Sequence, residues 1–399
     1  MLPLAGVRVL AVEQYGAGPF GTLYLADLGA EVIKIENPSD CGDMSRAVGP
    51  HFFAPEDSQF FHTFNRNKLS VTLDLAVPEA RAVLHDLVRS ADALACNLRG
   101  DVPAKLGLTY EHLKAYNPRI VCAFLSAYGR DGPRAAWPGF DYLMQAETGY
   151  FALTGEPDGP PARCGLSLVD LMTGLAMAYA LVSALLAARA SGEGRDIDVS
   201  LFDVALFNVS YLATWYLNAG YRQDRLPRSA HPSLTPCQLY RTRDGWIYLM
   251  CNKEKFWPAL CHALGRPEWA ADPRFRTFAD RLANRALVNE QVESELIKRT
   301  TGEWVAALEA VAVPCGPINT IDQVFADPQV EARGLRMALK REDGTVTPGV
   351  ANPVRFSATP TTYSKAPPTL GNATEEVLRS VLGLSPEDVA KLRNSASIG

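Results

Sequence analysis

Asp170 is the only acidic residue between Asp158 and Glu193, and it stands just before an uncharged apolar run, residues 171–188. The type and place of this residue fit two roles. One is a helix cap, which favours Asp. The other is a carboxylate nucleophile that attacks an acyl group. N–H groups at a helix start stabilise a carboxylate. Asp170 is therefore expected to stay ionised well below neutral pH, given an ordinary aspartate pKa of about 3.9. A second constellation is Gly16-Ala17-Gly18-Pro19-Phe20-Gly21, which has G-x-G-x-x-G spacing. It follows a strand-like run at residues 7–12, and Glu36 comes 20 residues after Gly16. Glycines there let backbone approach a pyrophosphate, and a helix N-terminus favours its charge. A nicotinamide dinucleotide, coenzyme A and a plain tight turn all fit that text. The cysteines, at 41, 96, 122, 164, 237, 251, 261 and 315, show no C-x-x-C spacing. Cys261 and His262 are adjacent, with nothing nearby to complete a ligand set, so no metal site is expected.

The elements that must hold these residues alternate. Residues 7–12, 31–36, 92–96, 119–125 and 195–200 read as strands. Helices are expected from Pro19, after a turn at 16–19, to about 28 (ended by Gly29), over 79–89 and over 103–116, with a long apolar one at 171–188. This alternation implies a parallel, doubly wound sheet. Residues 237–320 read as a smaller α+β unit, with strands near 237–251 and helices near 254–264, 285–298 and 303–311. Residues 359–370 form an extended linker, followed by short helices near 373–382 and 386–393. The domain expectation is a large α/β domain from 1–220, a small domain at 221–325, and a return segment, 326–399, completing the large one.

The chain has 399 residues, 39 basic and 44 acidic side chains, a net charge of −5 and 47% apolar residues. That length suggests two or three domains, and the composition excludes intrinsic disorder. The acidic balance argues against a general nucleic-acid binder. Any anionic ligand must therefore meet a local cluster of cations. Scattered cysteines and the lack of a signal-like N-terminus point to a cytoplasmic protein. Residues 171–188 reach transmembrane length, but their Ala content and the absence of a second such run predict a buried core helix and no membrane partner.

Several stretches resemble the class III CoA-transferase family. They are AGPFGTLYLADLGAEVIKIE (17–36), NRNKLSVTLDL (65–75), KLGLTYEHLKAYNPRIV (105–121), TGEPDGPPARCGLSLVDLMTGL (154–175), IDVSLFD (197–203) and VPCGPINTIDQVFADPQVEARG (313–334). The resemblance implies a Rossmann-like large domain, a smaller α+β domain and an interlocked homodimer. It implies Asp170 as nucleophile, an acyl-CoA donor and a small carboxylic acid acceptor as substrates, and no tightly bound cofactor. For CoA contacts it points to the first loop (Gln14, Gly16, Ala17), to Leu73, Asn97 and Lys105. Arg46, Arg66 and Lys68 are candidate phosphate partners by charge, and Tyr128, Phe140 and Trp215 are candidate pocket aromatics.

The sequence also departs from the family pattern. Asn37 stands where many members carry an arginine after the second strand's glutamate, and Ala76 replaces another basic contact. A glycine-run lid is missing, and Met250 to Glu254 stands in its place, with Cys251 as a thiol candidate near the site. The related α-methylacyl-CoA racemases use a G-H-D histidine, where this chain reads Gly139-Phe140-Asp141. Phenylalanine transfers no proton, so the expectation is a transferase. A racemase, a non-catalytic CoA-binding protein and an NAD-dependent protein remain as alternatives.

Overall fold

Short runs of Val, Ile, Leu and Ala, apolar on both faces, build the centre of the larger unit in this computed structural model, which describes residues 1–341 and 343–399. They form β1 (Arg8–Val12), β2 (Glu31–Glu36), β3 (Lys68–Thr72), β4 (Ala93–Cys96), β5 (Val121–Ser126) and β6 (Arg195–Ser200). The strands lie in the order β3-β2-β1-β4-β5-β6, and every neighbouring pair is parallel. Leu10 sits opposite both Ile33 and Leu94. Parallel strands of this kind need cover on both faces. The helices of this unit that bear on the site and its core are, in chain order, α1 (Ala17–Asp27), α2 (Pro78–Arg89), α3 (Asp141–Glu147), α4 (Leu168–Ser191) and α5 (Leu201–Asn208). Leu84, Leu87 and Val88 of α2 share one core with Leu10, Ile33, Leu94 and Phe124 of the strands. Val377, Leu378 and Val389, from helices at Thr374–Leu382 and Pro386–Asn394, join that core from the end of the chain.

Helices α1 and α4 pack together through glycines. A Cβ on Gly21 would lie 2.5 Å from the Gly174 carbonyl, and one on Gly174 would lie 2.4 Å from the Ala17 carbonyl. No other residue allows that approach. It brings the first turn of α4, one turn before Gly174, against the loop that follows β1.

Three expectations change. Residues 103–116 are two short turns, Val102–Lys105 and Tyr110–Leu113, separated by Gly107 at φ 71°. The apolar helix α4 is longer than its uncharged run and buries only one face, through Met177, Leu181 and Leu185. Its other face leaves Leu175, Tyr179 and Leu186 exposed at 42%, 77% and 65%. Among the described residues it is the one helix long and apolar enough to cross a membrane. A hairpin at Arg336–Lys340 and Val346–Val350 lies in what reads from sequence as connecting chain.

The chain divides into two compact units. The first holds residues 1–148, 165–210 and 331–399, and the second holds 149–164 and 211–330. The second unit therefore also takes the turn-rich stretch before α4 and residues 211–220, both assigned to the large domain from sequence. Its antiparallel three-stranded sheet, Cys315–Pro317, Trp246–Met250 and Cys237–Arg241 in that order, packs on a core with Trp257, Phe275, Leu296 and Trp304.

Candidate active site

The loop after β1 is built on buried charge. Glu13 accepts hydrogen bonds from Thr22 Oγ1 (2.7 Å) and Lys68 Nζ (2.8 Å). Lys34 Nζ donates to the Glu13 carbonyl (2.9 Å) and pairs with Asp43 at 2.8 Å. Burial opposes the charge on Lys34, but Asp43, Glu13 and Glu36 around it hold its pKa above the ordinary lysine value. Burial likewise works against Asp43, yet Lys34 and two backbone N–H groups hold it down to about 2. Asp43 in turn accepts the N–H of Tyr15 at 2.9 Å, fixing a residue at φ 69°, where a non-glycine backbone is strained. Asn97, just after β4, clamps the same loop. It accepts from the Gln14 N–H (2.8 Å) and donates to the Gln14 carbonyl (2.7 Å). The clamp spans the point where strand order reverses, between β1 and β4, the usual ligand crevice of such sheets.

Asp170 is the third residue of α4 and is buried. Its carboxylate lies so close to the loop that a Cβ on Gly16 would be 2.9 Å from Oδ2. Gly16 is thus required by contact with Asp170. The Asp170 N–H donates to Asp141 Oδ2 (2.9 Å) at the start of α3, and Asp141 Oδ1 accepts from Gln145 Nε2 (2.5 Å). The helix N-terminus does not keep Asp170 acidic, contrary to the sequence expectation. Burial, and then the neighbouring Asp141 carboxylate, push its pKa up to about 7. The N–H that should have offset its charge is engaged by Asp141.

A cavity of about 420 Å3 opens over this carboxylate, lined by Gln14, Gly16, Ala17, Asn97, Phe140 and Asp170 among others. A second cavity of about 510 Å3 lies at the carboxyl ends of β1, β2 and β3 and includes Leu73. The two share Gln14, Met44 and Leu98. Other expected residues are used elsewhere. Arg46 is buried against Glu36, with contacts of 2.7 and 2.9 Å, and donates to the Pro368 carbonyl (3.0 Å). Arg66 pairs with Asp27 at 2.6 Å, and Lys68 is held by Glu13, Pro19 and Asn65. These three cations hold the fold together and line neither cavity. Lys105 lines neither cavity and pairs with Asp101 at 2.5 Å. Tyr128 lies outside both cavities and donates to Glu147 (3.1 Å). Cys251 is in the buried core of the second unit, where burial pushes its thiol up to about 12. Trp215 also belongs to that unit and packs on Tyr211 and Tyr221.

Sequence reasoning missed Tyr15, Ser126, Trp137 and Arg99, which line the first cavity. Arg99 is its one Lys or Arg among the described residues. The signal available was position, because Arg99 follows a β4 end that the strand pattern already located.

The chain matches known proteins over nearly its whole length. The pattern of CoA-transferase family III fits residues 4–374. A succinate–glutarate CoA-transferase of Agrobacterium fabrum is 40% identical over 94% of this chain and 95% of its own. An acetyl-CoA:oxalate CoA-transferase of Acetobacter aceti is 37% identical over 89% of each. The crystal structure of a CaiB/BaiF family protein from Brucella suis superposes with a TM-score of 0.82 at 35% identity, covering 95% of this chain and 99% of that one. A carboxylate over a glycine loop at the sheet's switch point, in a chain this similar to CoA-transferases throughout, identifies the protein as a member of CoA-transferase family III.

Proposed function

We propose that the protein moves CoA from an acyl-CoA thioester to a short dicarboxylic acid through covalent intermediates on Asp170. The observation that carries this reading is the Asp170 carboxylate itself. It faces a cavity, touches the Gly16 backbone, and receives no hydrogen bond from any described side chain. A carboxylate without donors keeps its lone pairs available for attack. Asp170 attacks the thioester carbonyl, giving an acyl-aspartyl anhydride and CoA thiolate. The thiolate attacks the aspartyl carbonyl, releasing the donor acid and leaving an aspartyl-CoA thioester. The acceptor carboxylate then attacks that thioester, giving a new anhydride and CoA thiolate. The thiolate attacks the acceptor's acyl carbon, which forms the product and frees Asp170. Each step exchanges one acyl bond for another, so the thioester's energy is conserved. The first-turn N–H groups of α1, at Ala17 and Gly18, have no partner within their helix. They are the donors this mechanism assigns to the forming oxyanions. Arg99, which lines the first cavity and shares Asp101 with Lys105, takes the pyrophosphate.

The absence of histidine among the described lining residues, with Phe140 in its place, supports transfer over two-base racemisation. The dicarboxylate acceptor rests on the names of the relatives. Hydroxylamine added during turnover with succinyl-CoA should convert Asp170 to its hydroxamate, read as a mass shift on the peptide holding residue 170. An unmodified Asp170 at full turnover would sink the mechanism.

The assembly is proposed to be a homodimer. The exposed apolar residues Leu175, Tyr179 and Leu186 on α4, with Leu206 (50% exposed) and Phe207 (86%) on α5, are the surface this proposal assigns to the interface. Light scattering should give twice the chain mass of 43.4 kDa. Tyr179→Glu with Phe207→Glu should shift the protein toward monomer, and a wild-type mass of one chain would refute the dimer.

A further inference from the structure

The second cavity carries a charge pattern that bears on which form of the nucleotide it accepts. Its floor is apolar, from Ile35, Leu73, Leu75, Leu98 and Leu106, a surface suited to a planar base. Its rim is acidic. Three of its five carboxylates are compensated, Glu36 by Arg46 (2.7 Å), Asp43 by Lys34 (2.8 Å) and Glu13 by Lys68 (2.8 Å). The other two, Asp40 and Asp74, have no ion-pair partner among the described residues, and no described Lys or Arg lines the cavity. Asp40 Oδ2 accepts from Asn37 Nδ2 (2.9 Å), and Asp74 Oδ1 accepts from the Ala76 N–H (3.0 Å). Ser39 Oγ reaches Asp74 Oδ2 only at 3.5 Å. Asp40 Oδ1 and Asp74 Oδ2 thus remain as acceptors on the rim.

A carboxylate accepts a hydrogen bond from a sugar hydroxyl. It offers a phosphate no donor and repels it. Coenzyme A carries a phosphate on its ribose 3′ oxygen, whereas the 3′-dephospho form carries a hydroxyl there. Resting on the CoA-transferase reading above, we propose that this cavity seats the adenosine end as an unphosphorylated ribose, with Asp40 and Asp74 receiving its hydroxyls. The 3′-phosphate of CoA then has no cationic partner, and 3′-dephospho-CoA thioesters are substrates as good as CoA thioesters or better. The cation that meets the nucleotide is Arg99, which lines the first cavity beside Leu98, shared by the two cavities. It meets the pyrophosphate, which both forms share.

Calorimetry on the intact protein with CoA and with 3′-dephospho-CoA tests this directly, alongside transfer assays with the two succinyl thioesters. The affinities should agree within about threefold, or favour the dephospho form, because no charge-assisted phosphate contact is lost. Asp40→Lys, at an exposed position, should reverse the preference, so that CoA binds about tenfold tighter than the dephospho form, which loses a hydroxyl acceptor and gains no phosphate contact. Asp74→Lys serves as a second variant. Binding of CoA tenfold or more tighter than the dephospho form by the wild-type protein would overturn the proposal. So would binding of neither form, which would also end the CoA reading. Equal binding without any transfer would overturn the Asp170 chemistry and leave this proposal standing.

Discussion

Asp170→Asn is expected to lower kcat for CoA transfer by about 10⁴-fold or more, the scale seen when a covalent nucleophile is removed. CoA binding should survive, since the cavity walls and the Gly16 loop remain. In the wild-type enzyme, kcat/KM reports ionisation of the free enzyme. It should rise with pH along a single titration centred near 7, because burial and Asp141 push Asp170 up to about that value. A profile flat from pH 5 to 8 would exclude Asp170 as the titrating nucleophile.

The same shift has a stability consequence with a fixed sign. The folded pKa of Asp170 lies above its unfolded value, so the native state holds more protons than the unfolded chain between about pH 4 and 7. Stability from this group is complete below pH 4 and is lost as pH rises through about 7. Above that, the buried carboxylate costs on the order of 4 kcal/mol. Asp170→Asn removes the cost, so the inactive variant should melt higher than the wild type at pH 8. That difference should shrink toward pH 4. A variant less stable than the wild type at pH 8 would mean that Asp170 is solvated in the native state.

The sheet was largely legible because apolar runs bounded by glycine and polar turns state their own limits. Residues 31–36 and 195–200 match β2 and β6. Position 170 was legible from its isolation before an apolar run, and the family resemblance singled it out as the nucleophile proposed above. What the sequence hides is which charges meet. Lys68 reads as a ligand-binding cation, yet it and Lys34 are held by Glu13 and Asp43 from other segments. Arg66 meets Asp27 from 39 residues away, and Asn352 joins them from the far end of the chain. A local pattern carries no term for such closure. The Asp170 pKa failed for the same reason. A helix terminus is a local feature, whereas burial and Asp141 are tertiary ones, and at this site they outweigh it. The break at Gly107 is the opposite case, a local signal given too little weight against an apparent helical period.

Arg46 gives the sharpest contrast between the two kinds of charge. Were it a phosphate contact, Arg46→Met would raise KM for the acyl-CoA donor about tenfold and leave the melting temperature alone. The structure requires the reverse. Arg46 fills both oxygens of Glu36, stacks 3.9 Å over Phe61 and closes onto the Pro368 carbonyl, tying the return segment to β2. Burial acts against ionised Glu36, but Arg46, Lys34 and Ser70 hold its pKa below the ordinary glutamate value. Removing the arginine strands a carboxylate that is 1% exposed, a loss of about 3–5 kcal/mol, while KM in the remaining folded protein stays within about threefold. With Arg46 gone, Glu36 titrates higher, so the loss should narrow as pH falls through the carboxylate range. Adding Glu36→Gln should recover much of it, because a neutral amide asks less of its surroundings. If Arg46→Met leaves unfolding by denaturant unchanged and KM rises tenfold, Arg46 belongs to the CoA site after all.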